Sequence, residues 1–428
     1  MKKFLEFMQD VPTAFHATKK IKEMLLEEGF IELKEQEKWN LIPEGKYFIG
    51  RNISSVIAFV LPKRDPKCFH ITAAHLDSPT FKLKPNFTLE QGKYIKLNTE
   101  VYGSPIYSSW MDRPLGIAGR VFVRQGHQIL AKLVNLKRPM VCIPNLPIHY
   151  NRNVNKGVEL NPQIDMLPLY SSRDGVSLKE VIAKELKVTT ENIISSDLYL
   201  TSLDRGCLIG EKEEFIMAPQ IDNLECSYGL IQALLASSSM YSINVCALFD
   251  NEEIGSSTLQ GAGSTLLSDV LKRISLGLHF NDEEYMIALG KSFFISADNA
   301  QGYHPNFPEK YDKSNPCYLN EGIVIKNAAN GSYTTSAFSS AVFQALCKKA
   351  SVPVQLTTNR SDIRGGSTLG AISLAHVSIP SVDIGLAQLA MHSCYETAGA
   401  YDLAYLISAI QEFYTTELIS KEEEIILS

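Results

Sequence analysis

The sequence contains no long hydrophobic run, since no apolar stretch in its 428 residues approaches the roughly 20 residues needed to cross a bilayer. Its first ten residues, MKKFLEFMQD, include Glu6 and Asp10, whereas a secretory signal peptide has an unbroken apolar segment there. These features argue against a membrane-spanning or secreted protein. We therefore expect the chain to stay in the cytoplasm and to have no membrane partner.

The eight cysteines include no C-x-x-C pair, which argues against a zinc clip or a thiol redox motif of that type. They are scattered through apolar segments, so we expect reduced core residues. The chain also lacks an excess of positive charge, because its net charge is -6 and its basic residues are spread along the sequence. This balance argues against nucleic acid as the main partner and favours a small, soluble substrate.

Three familiar catalytic motifs are missing. The sequence contains no H-E-x-x-H, no G-x-S-x-G and no Walker loop. The stretch GAGST at positions 261–265 is an incomplete glycine fingerprint and lacks the strand-turn-helix setting that such a fingerprint requires. Serine hydrolase and nucleotide-binding functions therefore have no support.

The length favours more than one domain, and the predicted secondary-structure pattern changes twice along the chain. Residues 1–83 and 214–428 alternate strand-like apolar runs with helical patterns, which predicts an α/β domain with a mostly parallel sheet. Residues 84–213 contain short strands and turns, with prolines at positions 139, 144, 147, 162 and 168. We interpret this part as an inserted, β-rich second domain.

Histidines and carboxylates follow several of the predicted strands of the α/β part. Because the carboxyl ends of parallel strands meet at one edge of a sheet, we expect these side chains to gather there. A mixture of imidazoles and carboxylates suits zinc, manganese or cobalt, and such a cluster is typical of a two-metal hydrolytic site. The candidate residues are His75, Asp77, Asp222, Glu252, Glu253, Asp298 and His392.

Glu252 and Glu253 directly follow the strand-like run INVCALF. On an extended segment adjacent side chains point to opposite sides, so one carboxylate would bind a metal and the other would face the substrate water. Asp77, two residues after His75, is placed to accept a hydrogen bond from the second ring nitrogen and so fix the tautomer.

Each of these residues also has an ordinary structural explanation. The glutamate pair fits a solvated turn, His75 a hydrogen-bonded strand end, and Asp222 the N-cap of the helix that follows. Asp298 and His392 fit a turn and a polar loop. All five places fall at predicted strand ends of the α/β part and none in the inserted part, and this joint pattern favours the metal site.

The motifs AAHLDSP, APQIDN, FDNEEIGS, ISAD, HPN and LAMHS occur in this order, and with them the chain resembles the aspartyl aminopeptidase family, the M18 metallopeptidases. The resemblance runs over nearly the whole length. It implies a catalytic domain of the zinc-exopeptidase type interrupted by a β-rich dimerisation domain, in agreement with the change to short strands and turns in residues 84–213. It also implies a homo-oligomer, because members usually form tetrahedral dodecamers built from dimers.

The resemblance further implies two divalent metal ions per subunit, with zinc expected and manganese or cobalt as alternatives. His75 and Asp298 are the implied ligands of one ion, and Glu253 and His392 those of the other. Asp222 is the implied bridge between the two ions.

The remaining catalytic roles also follow from the resemblance. Glu252 is the implied general base, and Asp77 is the implied partner that orients His75. The substrates would be peptides with a free N-terminus, from which the first residue is released.

Substrate contacts are implied at five further positions. Lys326 matches a family lysine that meets an acidic first side chain, which favours Asp or Glu. The others are His149, which would reach a neighbouring subunit's active site, His304, and the loop residues Gly366 and Ser367.

Two alternatives remain at this point. Gln301 stands where some relatives have a histidine, so the same chemistry on neutral first residues such as Leu is one alternative. The other is a non-catalytic, metal-binding oligomer that serves as a peptide scaffold. A structural zinc site needs no spare base beside a ligand, so the presence of Glu252 speaks against the scaffold.

Overall fold

The computed structural model of the chain describes residues 1–363, 365–420 and 425–427. Helices are distributed along both ends of the chain, and strands dominate its middle. The α-helices are α1 (Lys2–Met8), α2 (Ala14–Glu27), α3 (Leu178–Leu186), α4 (Ile221–Leu235), α5 (Leu266–Gly277), α6 (Asp282–Gly290), α7 (Ala337–Lys349), α8 (Leu369–Ser373) and α9 (Asp402–Thr415).

The strands are β1 (Ile31–Leu33), β2 (Lys46–Arg51), β3 (Ser55–Val60), β4 (Cys68–His75), β5 (Thr80–Gln91), β6 (Tyr94–Tyr102), β7 (Leu115–Gln125), β8 (Gln128–Val141), β9 (Leu169–Ser172), β10 (Ile193–Ser202), β11 (Cys207–Ile209), β12 (Phe215–Ala218), β13 (Ser242–Phe249), β14 (Phe293–Ala297), β15 (Ala300–Gln301), β16 (Ile323–Asn327), β17 (Val354–Thr358), β18 (Ser381–Gly385), β19 (Ala387–Leu389), β20 (Glu396–Gly399), β21 (Leu418–Ser420) and β22 (Ile425–Leu427). Within the described part of the chain, β21 and β22 pair with each other and form a separate two-stranded sheet.

The largest sheet has nine strands in the order β1-β2-β3-β13-β4-β14-β18-β16-β17. Strands β13, β4, β14 and β18 run parallel at its centre, whereas β3 and β16 are antiparallel to the central strands beside them. Ala74 of β4 packs on one face of the sheet and Ile71 and Ala73 pack on the other, each within a separate apolar core. Helices cover both faces, as a sheet buried on both sides requires.

Register places three chemically important strand ends together. His75 at the end of β4 lies opposite Phe249 at the end of β13, and β14 runs parallel to β4 on the other side. The chain therefore leaves the same edge of the sheet at residues 76, 250 and 298. The mixed α/β class predicted from the sequence is confirmed.

A second sheet of six strands, β8-β7-β10-β5-β6-β9, lies within residues 80–202 and is antiparallel throughout. It has its own apolar core with α3. A third sheet has five strands in the order β11-β12-β20-β19-β15. Among the described residues, none of the helices is both long and apolar enough to span a membrane.

Candidate metal centre

His75 is buried at the carboxyl end of β4 and its ring is fixed by Asp77. Nδ1 lies 3.1 Å from the backbone oxygen of Asp77 and 3.4 Å from its Oδ1. Because a carbonyl oxygen only accepts, Nδ1 carries a proton, and Nε2 is the ring atom available to a metal ion. Nε2 lies 3.6 Å from Oδ1 of Asp222 and 3.9 Å from Oδ1 of Asp298. Nε2 and the two carboxylate oxygens thus lie close enough together to bind one metal ion.

His392 is oriented in the same manner from the opposite side. Its Nδ1 donates to the backbone oxygen of Ser104 at 3.1 Å, which leaves Nε2 free as a ligand. Nε2 lies 3.4 Å from Oδ2 of Asp222 and 3.4 Å from Oε2 of Glu253. Asp222 therefore stands between the two histidines, with one carboxylate oxygen toward each.

Asp222 does not act as the cap of a regular helix. The first turn of α4 is irregular, because Asp222 and Asn223 have non-helical backbone angles, and no side chain caps this end. The backbone amide of Asp222 donates to Oε2 of Glu396 at 3.0 Å, and the amide of His392 donates to Oε1 of the same carboxyl at 2.6 Å. Glu396 thus holds the backbones of two site residues in one arrangement.

The glutamate pair lies on a turn, so the predicted extended segment is wrong. Asn251 adopts a left-handed conformation with φ +66°, and a short 3-10 turn over Glu252–Ile254 follows. The backbone amides of Glu252 and Glu253 donate to the two carboxylate oxygens of Asp77 at 3.1 and 3.2 Å. Asp77 thus fixes the turn, and the turn aims both side chains at the same space.

Carboxylates outnumber imidazoles in this buried space, where the charged form of a carboxyl group is disfavoured. Burial raises the pKa of Glu252 to about 8. Burial and the nearby Asp222 raise the pKa of Glu253 well above its usual range, and burial raises that of Asp298. Burial alone would lower the pKa of His75, but its contact with Asp77 and the neighbouring acidic groups raise it well above its usual value.

The donor set fits divalent cations. Oδ1 of Asp222 and Oε1 of Glu253 are buried and have no hydrogen-bond partner among the described residues, which is costly unless a cation binds them. Three groups of residues could each hold an ion, because the ligand atoms within each group lie within 4.8 Å of one another. The groups are His75, Asp222 and Asp298; His75, Glu252 and Glu253; and Asp222, Glu253 and His392.

Two sheets contribute to this cluster, which corrects the expectation of a single sheet edge. His75, the glutamate pair and Asp298 follow β4, β13 and β14 of the nine-stranded sheet. Asp222 follows β12 and His392 follows β19, and both strands belong to the five-stranded sheet. The two sheets therefore meet at the cluster.

A cavity opens onto the cluster and contains Lys326. The ammonium of Lys326 donates to the backbone oxygen of Asn299 at 2.8 Å and lies 3.8 Å from Oδ1 of Asp298. Burial alone would lower its pKa, but Asp298 and further acidic groups raise it, so the side chain keeps its charge. The cavity lining also includes Gln301, Gly366 and Ser367.

The two histidines predicted to contact the substrate, His149 and His304, lie outside the cavity with Lys326 in this subunit. His149 is exposed on a turn of the segment between β8 and β9. His304 accepts a hydrogen bond from the amide of Asn306 at 3.2 Å through Nδ1, and its ring packs against Phe307. Neither residue belongs to the lining of the cavity with Lys326.

Sequence reasoning missed three contributors to the site: Tyr102, Ser104 and Glu396. The hydroxyl of Tyr102 donates to Oδ2 of Asp77 at 2.8 Å. Tyr102 and Ser104 lie in the inserted part of the chain, where few catalytic groups were expected. The one local signal for Glu396 was its position four residues after the candidate ligand His392. Tyr102 and Ser104 have no such signal in the sequence.

Comparison with known proteins identifies the family. The model of the aminopeptidase I zinc metalloprotease family (M18) matches residues 7–414. A probable M18 family aminopeptidase 2 from Clostridium novyi is 49% identical over 424 residues, which cover 96% of this chain and 97% of that protein.

Solved structures agree with this assignment. A chain in the cryo-EM structure of the Ape4 and Nbr1 complex is 33% identical with a TM-score of 0.93, and the match covers 96% of this chain and 85% of that one. The S. cerevisiae mApe1 dodecamer gives 27% identity and a TM-score of 0.84, with 96% and 95% covered. The family expected from the motifs is thus confirmed, and this chain belongs to the M18 metalloaminopeptidases.

Proposed function

We propose that this M18 metalloaminopeptidase binds two divalent metal ions per subunit and releases N-terminal Asp or Glu from peptides. The observation that carries the proposal is the placement of Asp222. Its Oδ1 lies 3.6 Å from Nε2 of His75, and its Oδ2 lies 3.4 Å from Nε2 of His392. A carboxylate between two ligand groups is the arrangement that a two-metal hydrolase requires.

The ligands divide into two sets around this carboxylate. His75 and Asp298 would hold one ion, His392 and Glu253 would hold the other, and Asp222 would bind both. The donor atoms are imidazole nitrogens and carboxylate oxygens, which favours zinc, with manganese or cobalt as alternatives. When bound, such ions lower the pKa of a water molecule and polarise the peptide carbonyl.

Glu252 is the proposed general base. Its carboxylate lies beside His75 and Glu253, within reach of the proposed metal ligands. It takes a proton from the attacking water as the water oxygen bonds to the first carbonyl carbon. It then passes that proton to the nitrogen of the leaving amine as the bond between this carbon and the nitrogen breaks. Asp77 positions the base, because its Oδ1 accepts a hydrogen bond from the backbone amide of Glu252 at 3.1 Å.

Lys326 is the proposed receptor for the first side chain. It is the one lysine in the described lining of the cavity, and the ammonium has three donors of which one is used by the oxygen of Asn299. A substrate carboxylate would pair with this buried charge, whereas a neutral side chain would not. Gly366 and Ser367 would contact the substrate from the rim, and His304 would act near the pocket.

A preference for neutral first residues is the alternative, and one contact favours it. The ammonium of Lys326 lies 3.8 Å from Oδ1 of Asp298, so this carboxylate already balances part of its charge. Lys326 would then serve mainly to hold Asp298, and residues such as Leu would be accepted.

Assembly into a homo-oligomer is part of the proposal. Residues 84–213 would form the dimerisation domain and residues 1–83 and 214–428 the catalytic domain. Beside His149, the side chains of Leu146, Ile148 and Tyr150 are exposed, which suits a surface covered by another subunit. The S. cerevisiae mApe1 neighbour is a dodecamer, and in an assembly of that kind His149 would reach a neighbouring active site, as the family resemblance implies. We place the enzyme in the cytoplasm.

A release assay tests the proposal. Peptides that differ only in a first residue of Glu, Asp, Leu or Lys are incubated with metal-free protein and again after addition of zinc, manganese or cobalt. We expect release of Asp and Glu only with metal. Metal-dependent release of Leu at the same rate as Glu would keep the chemistry and overturn the specificity, and release without metal would overturn the mechanism.

A further inference from the structure

A short segment at the end of β6, residues 102–106, touches the metal centre although it belongs to the antiparallel sheet. Strand β6 ends at Tyr102, and Tyr102 pairs with Thr80 of β5. The chain then passes directly beside the candidate ligands. The proposed mechanism gives this segment no role.

Tyr102 connects the segment to the Asp77 end of the site. Its hydroxyl donates to Oδ2 of Asp77 at 2.8 Å and accepts from Nδ2 of Asn251 at 2.8 Å. Burial and the adjacent Asp77 raise the pKa of Tyr102 far above its usual value, so the hydroxyl remains a donor. The Asp77 carboxylate in turn accepts from the backbone amides of Glu252 and Glu253, and its Oδ1 lies 3.4 Å from Nδ1 of the histidine two residues before it.

The following residues connect the segment to the His392 end. Nδ1 of His392 donates to the backbone oxygen of Ser104 at 3.1 Å, and the amide of Ile106 donates to the backbone oxygen of His392 at 2.9 Å. Between these contacts, Gly103 has φ +70°, and a Cβ at this position would lie 3.1 Å from Cβ of Glu253. The chain therefore passes close to Glu253, and a side chain at position 103 would be strained in its backbone and tightly packed against this ligand.

We propose that residues 102–106 are a positioning segment that sets the affinity of the metal centre for divalent cations. The segment orients groups on both sides of Asp222, since it acts on His75 through Asp77 and on His392 through Ser104. Partners that orient a ligand from outside the coordination sphere change metal affinity by about 10- to 100-fold. The inference rests on the proposed function, because it assumes that these histidines bind metal.

The Tyr102→Phe variant tests the proposal because it removes one hydroxyl and keeps the ring. The matched control is Tyr199→Phe, which alters the tyrosine whose ring packs against Tyr102 at 5.5 Å and leaves the bond to Asp77 intact. Zinc dissociation constants are measured for the full chain by competition with a chromogenic chelator. We expect a constant about 10- to 100-fold higher for Tyr102→Phe and an unchanged constant for the control.

Activity at saturating zinc provides the second readout. A positioning role predicts that Tyr102→Phe recovers most of its turnover when zinc saturates the site. An unchanged zinc constant would overturn the inference and leave the proposed function untouched. Equal weakening in both variants would also overturn it, because it would indicate general loosening of the sheet. The zinc constants can be compared even if the wild-type protein releases no N-terminal residue, so the two failures are distinguishable.

Discussion

Replacing Glu252 with glutamine should lower the release of the N-terminal residue by about 10²- to 10⁴-fold, the usual contribution of a general base. Glutamine has nearly the same shape but cannot take the proton of the attacking water. The proposed ligands remain in place, so the variant should still bind two metal ions. Turnover is measured with a Glu-initiated peptide, and bound metal is counted in the same samples.

The matched control for this experiment is Glu283→Gln, which changes an exposed glutamate in the first turn of α6. We expect the control to keep wild-type turnover. A Glu252→Gln enzyme that works at the wild-type rate would contradict the proposed base. Loss of metal together with loss of turnover would instead indicate that Glu252 is a ligand.

The Lys326→Met variant should lose the preference for acidic first residues. Methionine keeps much of the side-chain volume but removes the buried ammonium. A hydrogen bond to a charged group contributes about 1.5–3 kcal/mol, so kcat/KM for a Glu peptide should fall about 10- to 100-fold. The value for a Leu peptide should stay the same or rise. The measurement is the ratio of the two values, compared with that of Lys348→Met, which changes an exposed lysine at the end of α7.

Two other results would lead to different conclusions about Lys326. If the values for both peptides stay at their wild-type level, Lys326 does not recognise the first side chain, which would reject the acidic preference and favour neutral substrates. An equal fall for both peptides, together with weaker metal binding, would show that the main role of the ammonium is to hold Asp298, from which it lies 3.8 Å.

Part of the site was predictable from the sequence for a simple physical reason. Buried parallel strands read as continuous apolar runs, and their carboxyl ends meet at one sheet edge. That rule places His75, the glutamate pair and Asp298 together without knowledge of the remaining fold. It does not place Asp222 and His392, because both arrive from the five-stranded sheet. The strand-end pattern in the sequence included both residues but assigned them to the same sheet edge, and the family resemblance supplied their roles as bridge and ligand.

The contacts that orient the ligands were not predictable. Tyr102 meets Asp77 across 25 residues, Asp222 meets Glu396 across 174, and His392 meets Ser104 across 288. Contacts at such separations depend on how separate sheets pack, and no local period or spacing reports them. The turn at Glu252 has a local cause, because Asn251 adopts the left-handed conformation, which asparagine tolerates better than most residues.

Titration of zinc into metal-free protein, with bound ions counted and release from a Glu peptide measured at each step, tests the two-metal claim most directly. The account predicts that turnover increases with the second ion and levels off at two ions per chain. Full turnover at one ion per chain, or turnover in the absence of any ion, would contradict it.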